Sequence, residues 1–223
     1  MKISNIKKSY ENFSLNINSL DISEKKIYGI IGPNGCGKTT AMKLMAGIEK
    51  PDSGHIEYGE LAPRDMTMLL RKPYLLSDTV INNLVYPLKL RKIKPDIDIV
   101  NHYLDITGLT KLRNELALRL SGGEQQKLAL ARALIFSPKV IFIDEGFSHM
   151  DIESVAFFEN YILEMQRKKP MTWVIISHQL SNIRRLCEHV FFMHNGEVRV
   201  SDSTESLLSD PSDEKLKRYL QYM

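Results

Sequence analysis

The chain has 223 residues, which suits one α/β domain or one domain with a subdomain, and 43% of them are apolar, so a sizeable core is available. Its 30 Lys and Arg against 27 Asp and Glu leave a net charge of +3, a balance that gives no argument for a nucleic-acid partner, and the clusters at 7–8, 25–26, 89–94 and 167–169 read as solvated surface. No run approaches the ~20 apolar residues that span a bilayer, and Met1-Lys2-Ile3-Ser4-Asn5 lacks the apolar stretch of a signal peptide, so the expectation is a chain that meets a membrane only through a partner.

The first stretch alternates through Ile3, Ile6, Phe13, Leu15, Ile17, Leu20 and Ile22, which predicts two or more antiparallel strands. Ile27 to Ile31 is apolar and reads as a buried strand. A glycine-rich loop at 32–37 follows, then a helix over Thr39 to Ala46 that stops at Gly47. His55 to Tyr58 and Met66 to Leu70 read as short strands. From Ser77 the pattern turns helical: one helix begins at Thr79 behind a Ser77/Asp78 cap and is interrupted by Pro87, and a second runs from Asp96 to Thr107, ending at Gly108.

Beyond 120 the α/β alternation returns. Helices are predicted over Gln125 to Phe136, Ile152 to Gln166 and Ser181 to Cys187, and strands over Val140 to Ile143, Thr172 to Ile176 and Val190 to Met193. Asn195-Gly196 is a hairpin signal before Glu197 to Val200. The expected layout is α/β, a mostly parallel sheet with an antiparallel N-terminal β-subdomain. The nucleotide-binding core would comprise 1–76 and 125–201, an inserted helical subdomain 77–124, and a helical tail 202–223.

Gly32 to Thr39 reads Gly-Pro-Asn-Gly-Cys-Gly-Lys-Thr, the spacing G-x-x-x-x-G-K-[ST] set between a strand and a helix. Backbone N–H groups of Asn34, Gly35, Cys36, Gly37, Lys38, Thr39 and Thr40 can then turn towards phosphate oxygens at the positive end of a helix. Lys38 reaches the β- and γ-phosphates, and the Thr39 hydroxyl can ligate Mg²⁺. Cys36 lies inside this cradle, where a disulfide with Cys187 would distort it, so a reducing compartment is expected. Val140 to Ile143 delivers Asp144 and Glu145 at a strand's end. Asp144 is placed to hold Mg²⁺ through water, and Glu145 to polarise a water attacking the γ-phosphate. Ser121 caps the helix after Leu120-Ser121-Gly122-Gly123-Glu124, and the two glycines leave its N–H groups open as a second anion site.

These motifs together resemble the ATP-binding subunit of an ATP-binding cassette (ABC) transporter, over nearly the whole chain. Gly32 to Thr39 matches the Walker A loop of a P-loop NTPase, and Val140 to Asp144 the Walker B strand followed by a catalytic Glu145. Leu120 to Glu124 is similar to the signature LSGGQ, and Ser148-His149-Met150-Asp151 to the D-loop. His178, after Val174 to Ser177, resembles the switch histidine, and Tyr10 the aromatic residue that stacks on adenine, with Phe13 as the alternative. The resemblance implies ATP and Mg²⁺ as cofactors and a head-to-tail pair of ATPase chains in which Ser121, Gly122 and Gly123 of one meet the γ-phosphate held by the other. It also implies transmembrane permease subunits, an extracytoplasmic solute-binding protein for an importer, and a peripheral place on the cytoplasmic face of the membrane. The run Tyr86 to Arg91 is similar to importer subunits for small ions or metabolites, and the apolar residues Tyr74, Leu75, Leu76, Val80, Leu84, Val85 and Tyr86 read as either a groove for a permease helix or subdomain core.

Two positions depart from the family pattern. Where Gln-x-Pro-x-Leu-Leu is usual, this chain has Arg71-Lys72-Pro73-Tyr74-Leu75-Leu76, and arginine, which has donors only, cannot ligate a metal. It can contact the γ-phosphate or pair with a nearby acid, and slower hydrolysis is expected. Gly146 replaces the usual Pro after the Asp-Glu pair, which predicts a looser loop around Glu145. The alternatives to a transporter subunit are a non-transport cassette ATPase, although neither a long coiled coil nor a second cassette is present, and a weakly catalytic ATP-dependent interaction module, which Arg71 keeps open.

Overall fold

The computed structural model describes residues 1–147 and 150–222. In chain order the strands are β1 (Lys2–Tyr10), β2 (Phe13–Asp21), β3 (Ile27–Ile31), β4 (Ser53–Glu57), β5 (Met66–Leu69), β6 (Val140–Asp144), β7 (Thr172–Ile176), β8 (His189–His194) and β9 (Glu197–Ser203). The helices are α1 (Lys38–Met45), α2 (Val80–Leu90), α3 (Ile97–Ile106), α4 (Gly122–Leu134), α5 (Ile152–Lys168), α6 (Leu180–Leu186), α7 (Thr204–Ser209) and α8 (Glu214–Gln221). Among the described residues no helix is long and apolar enough to cross a membrane.

Among the described residues the strands form one sheet ordered β4-β1-β2-β9-β8-β3-β7-β6-β5. The run from β8 to β5 is parallel, whereas β4, β1 and β2 pair antiparallel, as do β8 and β9. Every residue of β3, β6 and β7 is buried, as parallel strands covered on both faces must be. Alternate residues feed two cores. Ile27, Ile31, Ile141, Ile143, Trp173 and Ile175 pack under the helices of the larger layer. Tyr28, Ile30, Phe142, Val174 and Ile176 pack with α1 (Ala41, Met42, Leu44, Met45) and the inner face of β1 and β2 (Ile3, Ile6, Leu15, Ile17). The central strands end level, Ile30 opposite Ile176 and Ile176 opposite Asp144, so whatever follows β3, β6 and β7 emerges at one edge of the sheet.

The helices differ from expectation in three places. Pro87 does not interrupt α2 but lies inside it, and the N-cap is Thr79, whose Oγ1 accepts from Asn82 N, rather than Ser77 or Asp78. The proline leaves the Asn83 carbonyl without its helical donor, at a cost of about 3 kcal/mol. Burying Leu84, Val85 and Leu88 on the same helix, each contributing about 1.5–3 kcal/mol, outweighs that. Helix α4 starts three residues before the expected Gln125, so one continuous helix crosses the expected 124/125 boundary between lobe and core. Its low-propensity opening glycines are offset by a capping box in which Ser121 Oγ accepts from Glu124 N while Glu124 Oε2 accepts from Ser121 N. At the tail, Ser201, Asp202 and Ser203 continue β9 against β8 before two short helices. Asn195 (φ 49°) and Gly196 (φ 79°) form the hairpin turn, with both φ values positive as a tight two-residue connection needs.

Candidate functional site

The glycine loop leaves β3 at Gly32 and enters α1 at Lys38. Gly32 has φ +148°, and a Cβ there would lie 2.1 Å from Met193 O, so the loop can pass the end of β8 only as glycine. Gly37 has φ +102°, and its Cβ would lie 2.6 Å from Phe13 Cζ and 2.8 Å from Leu15 Cδ1. The antiparallel strand β2 thereby braces the loop. Asn34, Gly35 and Thr39 are exposed, Gly37 and Thr40 half-buried, and Cys36 and Lys38 buried. Both cysteines are free, and burial pushes the Cys36 thiol above its usual range. Lys38 Nζ donates to Gly32 O (2.7 Å) and Pro33 O (2.9 Å), so the ammonium is held inside the loop by carbonyls. Burial lowers its pKa, with Cys36, Glu145 and Asp144 opposing the shift. A desolvated cation whose hydrogen-bond partners are neutral carbonyls gains strongly from an incoming anion.

Thr39 Oγ1 donates to Asp144 Oδ2 at 2.8 Å. Asp144 is almost wholly buried, and that burial raises its pKa against the Thr39 hydrogen bond and the Lys38 charge. A buried carboxylate beside a hydroxyl is an oxygen-only donor pair that suits a hard divalent cation, which takes its remaining ligands from phosphates and water. Among the described residues no group of three or more His, Cys, Asp or Glu converges as an all-protein metal site.

Glu145 follows with φ 51°, its N–H donating to Ile176 O at 3.0 Å. This left-handed turn swings the side chain away from β6 and across the end of β7. There Glu145 Oε1 lies 2.8 Å from His178 Nε2, and Glu145 Oε2 lies 3.2 Å from Arg71 Nε. The three side chains, with Phe147, Ser177, Gln179 and Asn182, line a cavity of about 210 Å³. Ser177 Oγ accepts from Gln179 N and fixes the turn that carries His178. The structure thus brings Lys38, Thr39, Asp144, Glu145 and His178 to one edge. Arg71 is paired here with the acid, one of the two partners open to it.

Gly146, expected to loosen this loop, is closely packed. A Cβ at Gly146 would lie 2.6 Å from Ile143 Cγ2 and 2.9 Å from Leu69 Cδ2, so the backbone packs directly on the core. Gln126 Nε2 also donates to Gly146 O at 2.6 Å. Sequence reasoning missed Gln126. Its signal was an amide on the face of α4 that also carries Leu130 and Leu134, all three buried.

Tyr10 and the signature residues lie apart from this cluster. Tyr10 is half-exposed, donates its hydroxyl to Glu49 Oε2 and stacks on Phe13 with ring centroids 6.3 Å apart. Because Phe13 lies against Gly37, the pair forms an aromatic surface beside the loop, with Phe13 partly buried. Ser121 and Gly122 are exposed at the start of α4, with nothing within 4 Å of where a Gly122 Cβ would stand, and Gly123 is half-covered. Among the described residues the Ser121 side chain bonds only to Glu124. In the D-loop stretch, Ser148 and His149 lie outside the described residues, and Asp151 caps α5 by accepting from Ser154 N.

On the face beyond Arg71 a groove of about 410 Å³ is lined by Leu70, Pro73, Tyr74, Leu76, Tyr86, Leu90, Arg91 and Phe136 among others. The two readings of the apolar stretch therefore divide by residue. Tyr74, Leu76 and Tyr86 face the groove, whereas Leu75, Val80, Leu84 and Val85 are buried core.

A strand, glycine loop and helix facing a strand-end carboxylate, on a mostly parallel sheet with antiparallel N-terminal strands, define a P-loop nucleoside triphosphatase. The family model described as ABC transporter matches residues 15–148, more than half of the chain, and the chain belongs to that family. It is 37% identical over 211 residues to the tungstate uptake system ATP-binding protein TupC of Peptoclostridium acidaminophilum, covering 90% of this chain and 97% of that protein. It is 30% identical over 218 residues to the methionine import ATP-binding protein MetN of Bacillus subtilis, covering 91% of this chain and 64% of that longer protein. A probable sulfate/thiosulfate import ATP-binding protein, CysA of Chlorella vulgaris, is also 30% identical, with 98% and 97% covered. A solved dimeric post-hydrolysis state of an ATP-binding cassette bound to ADP and Pi superposes with a TM-score of 0.81 over 91% of this chain and 98% of that one; at 23% identity this bears on the fold. The chain is an ATP-binding, ATP-hydrolysing subunit of an ABC transporter.

Proposed function

We propose that this subunit powers import of a small solute or ion, working as a pair of chains docked on membrane permeases at the cytoplasmic face, with an extracytoplasmic protein delivering the cargo. The importer reading is supported by relatives named for uptake of tungstate, methionine and sulfate or thiosulfate. An oxyanion is the cargo class favoured by the tungstate relative, which is matched over nearly its full length. The groove beside Tyr74 and Tyr86 is the docking place for a permease helix, since it is apolar, open and built partly from the segment that bears Arg71.

The observation that carries the catalytic reading is the convergence of Lys38, Thr39, Asp144 and Glu145 at one sheet edge. The loop N–H groups from Asn34 to Thr40 and the Lys38 ammonium bind the triphosphate, and the Tyr10–Phe13 surface receives the adenine. Thr39 and Asp144 hold Mg²⁺, which when bound supplies charge neutralisation to the transferring phosphoryl group. Glu145 accepts a hydrogen bond from the attacking water, and His178 orients that carboxylate. Ser121, Gly122 and Gly123 of a second chain close over the γ-phosphate, the exposure of Ser121 and Gly122 in the single chain being what such an interface requires.

A weakly catalytic ATP-dependent interaction module is the second reading, and the Arg71–Glu145 pair is the observation in its favour. A phosphate-release assay on the purified chain, with Lys38→Ala and Glu145→Gln as controls, separates the two. Turnover that needs both residues supports the enzyme, and release at the level of Glu145→Gln supports the module. Co-purification of the tagged chain with an integral membrane protein tests the transporter assignment.

A further inference from the structure

Resting on the ATPase reading above, we propose that Arg71 is a positioning residue that latches the Glu145 carboxylate in the isolated subunit and holds hydrolysis below the rate the remaining site supports. A general base needs an oxygen free to accept a proton from the attacking water. Here each oxygen already has one partner, His178 on Oε1 and Arg71 on Oε2, so the water must compete for the acceptor sites that remain. The backbone gives no slack, because Glu145 is fixed in a left-handed turn with its N–H bonded across to β7. Arginine makes the latch one-sided: its charge is permanent, so the pair is not broken by loss of the arginine's proton, and it has no acceptor with which to bind metal.

The latch is also releasable. Arg71 is 62% exposed against 13% for Glu145, so the arginine approaches from solvent and regains water when it leaves. An ion pair with one exposed partner is weak, which places the suppression at about two- to fivefold rather than orders of magnitude. The segment that carries it borders the groove through Leu70, Pro73 and Tyr74, so the latch sits between the groove and the catalytic edge.

Arg71→Gln, Arg71→Ala and Arg71→Lys in the full chain, assayed for phosphate release over a Mg-ATP series and for affinity towards a fluorescent ATP analogue, test the latch. Arg71→Ala is the decisive variant, since it frees Glu145 without supplying the amide that a glutamine would add. The expected result is kcat raised about two- to fivefold in both Ala and Gln variants, unchanged KM and analogue affinity, and an intermediate kcat in Arg71→Lys. Salt should raise wild-type turnover towards the Ala variant and narrow the gap. A kcat unchanged or lowered in Arg71→Ala overturns the latch. So does a several-fold rise in KM or loss of analogue affinity, which would make Arg71 a phosphate ligand. Lys38→Ala in the same assays separates the foundations: analogue binding that survives it sinks the nucleotide site itself, whatever Arg71 does.

Discussion

Gln126 Nε2 donates to Gly146 O at 2.6 Å, so the helix that begins with the signature glycines is tied by one hydrogen bond to the loop that carries Glu145. The amide orientation is fixed by this contact, because the opposite one would set Oε1 against a carbonyl. Among the described residues Gln126 Oε1 is then buried without a partner. A buried orphan acceptor costs about 1–3 kcal/mol, so the tether is retained at the expense of stability. Gln126→Met, which keeps the volume and exchanges the orphan amide oxygen for an unpaired Gly146 carbonyl, is expected to melt within about 1 kcal/mol of wild type. Its kcat should still fall several-fold, because Glu145 loses its support. Loss of stability with unchanged kcat would reduce Gln126 to packing.

Gly146 stands where the family resemblance leads one to expect proline, and placing a side chain there should harm rather than rigidify. The added Cβ meets the Ile143 branch methyl at 2.6 Å, and that methyl is fixed within a fully buried strand. Gly146→Ala is expected to cost about 1–3 kcal/mol, read as a lower Tm at roughly 2–4 °C per kcal/mol. Gly146→Pro should cost at least as much. A Tm at or above wild type in both variants would show that Leu69 and Ile143 yield freely.

Glu145→Gln removes the charge that pairs with Arg71 and His178 while keeping the shape. Turnover should fall by at least about 100-fold, the size of a general-base contribution. The chain should run as a dimer on size exclusion with ATP and as a monomer without it. No ATP-dependent shift would count against closure of Ser121 over a partner's nucleotide.

Much of this architecture was legible because its signals are local. Ile27 to Ile31 and Val140 to Ile143 read correctly as strands since a strand covered on both faces is one continuous apolar run. The helix expected from Asp96 to Thr107 is found at Ile97–Ile106, with Asp96 as its cap and its stop, Gly108, at φ 71°. The phosphate loop was legible for the same reason, its residues being contiguous. Pro87 was misread because local propensity lost to the burial of Leu84, Val85 and Leu88, and Ser201 to Ser203 because a backbone ladder to β8 needs no apolar pattern. Arg71 on Glu145 and Gln126 on Gly146 are pairings between distant segments. The sequence narrowed the first to two partners and was silent on the second.

Glu159 provides a pH test away from the nucleotide. It lies on α5, is 5% exposed, and pairs through Oε2 with Arg185 Nη1 on α6 at 3.1 Å. Burial raises its pKa, and Arg185, itself half in water and shared with Asn160, offsets this only in part. A carboxyl whose pKa is higher folded than unfolded favours the fold when protonated. Its contribution is full below the unfolded value near 4.5 and is lost as pH rises through the folded value. Glu159→Gln, which keeps an acceptor for Arg185 and discards the buried charge, should therefore match wild type near pH 4.5. By pH 8 it should exceed wild type by up to about 1 kcal/mol. Thermal melts of both proteins at the two pH values check this. If the variant melts lower at pH 8, the attraction to Arg185 exceeds the cost of taking the Glu159 carboxylate out of water.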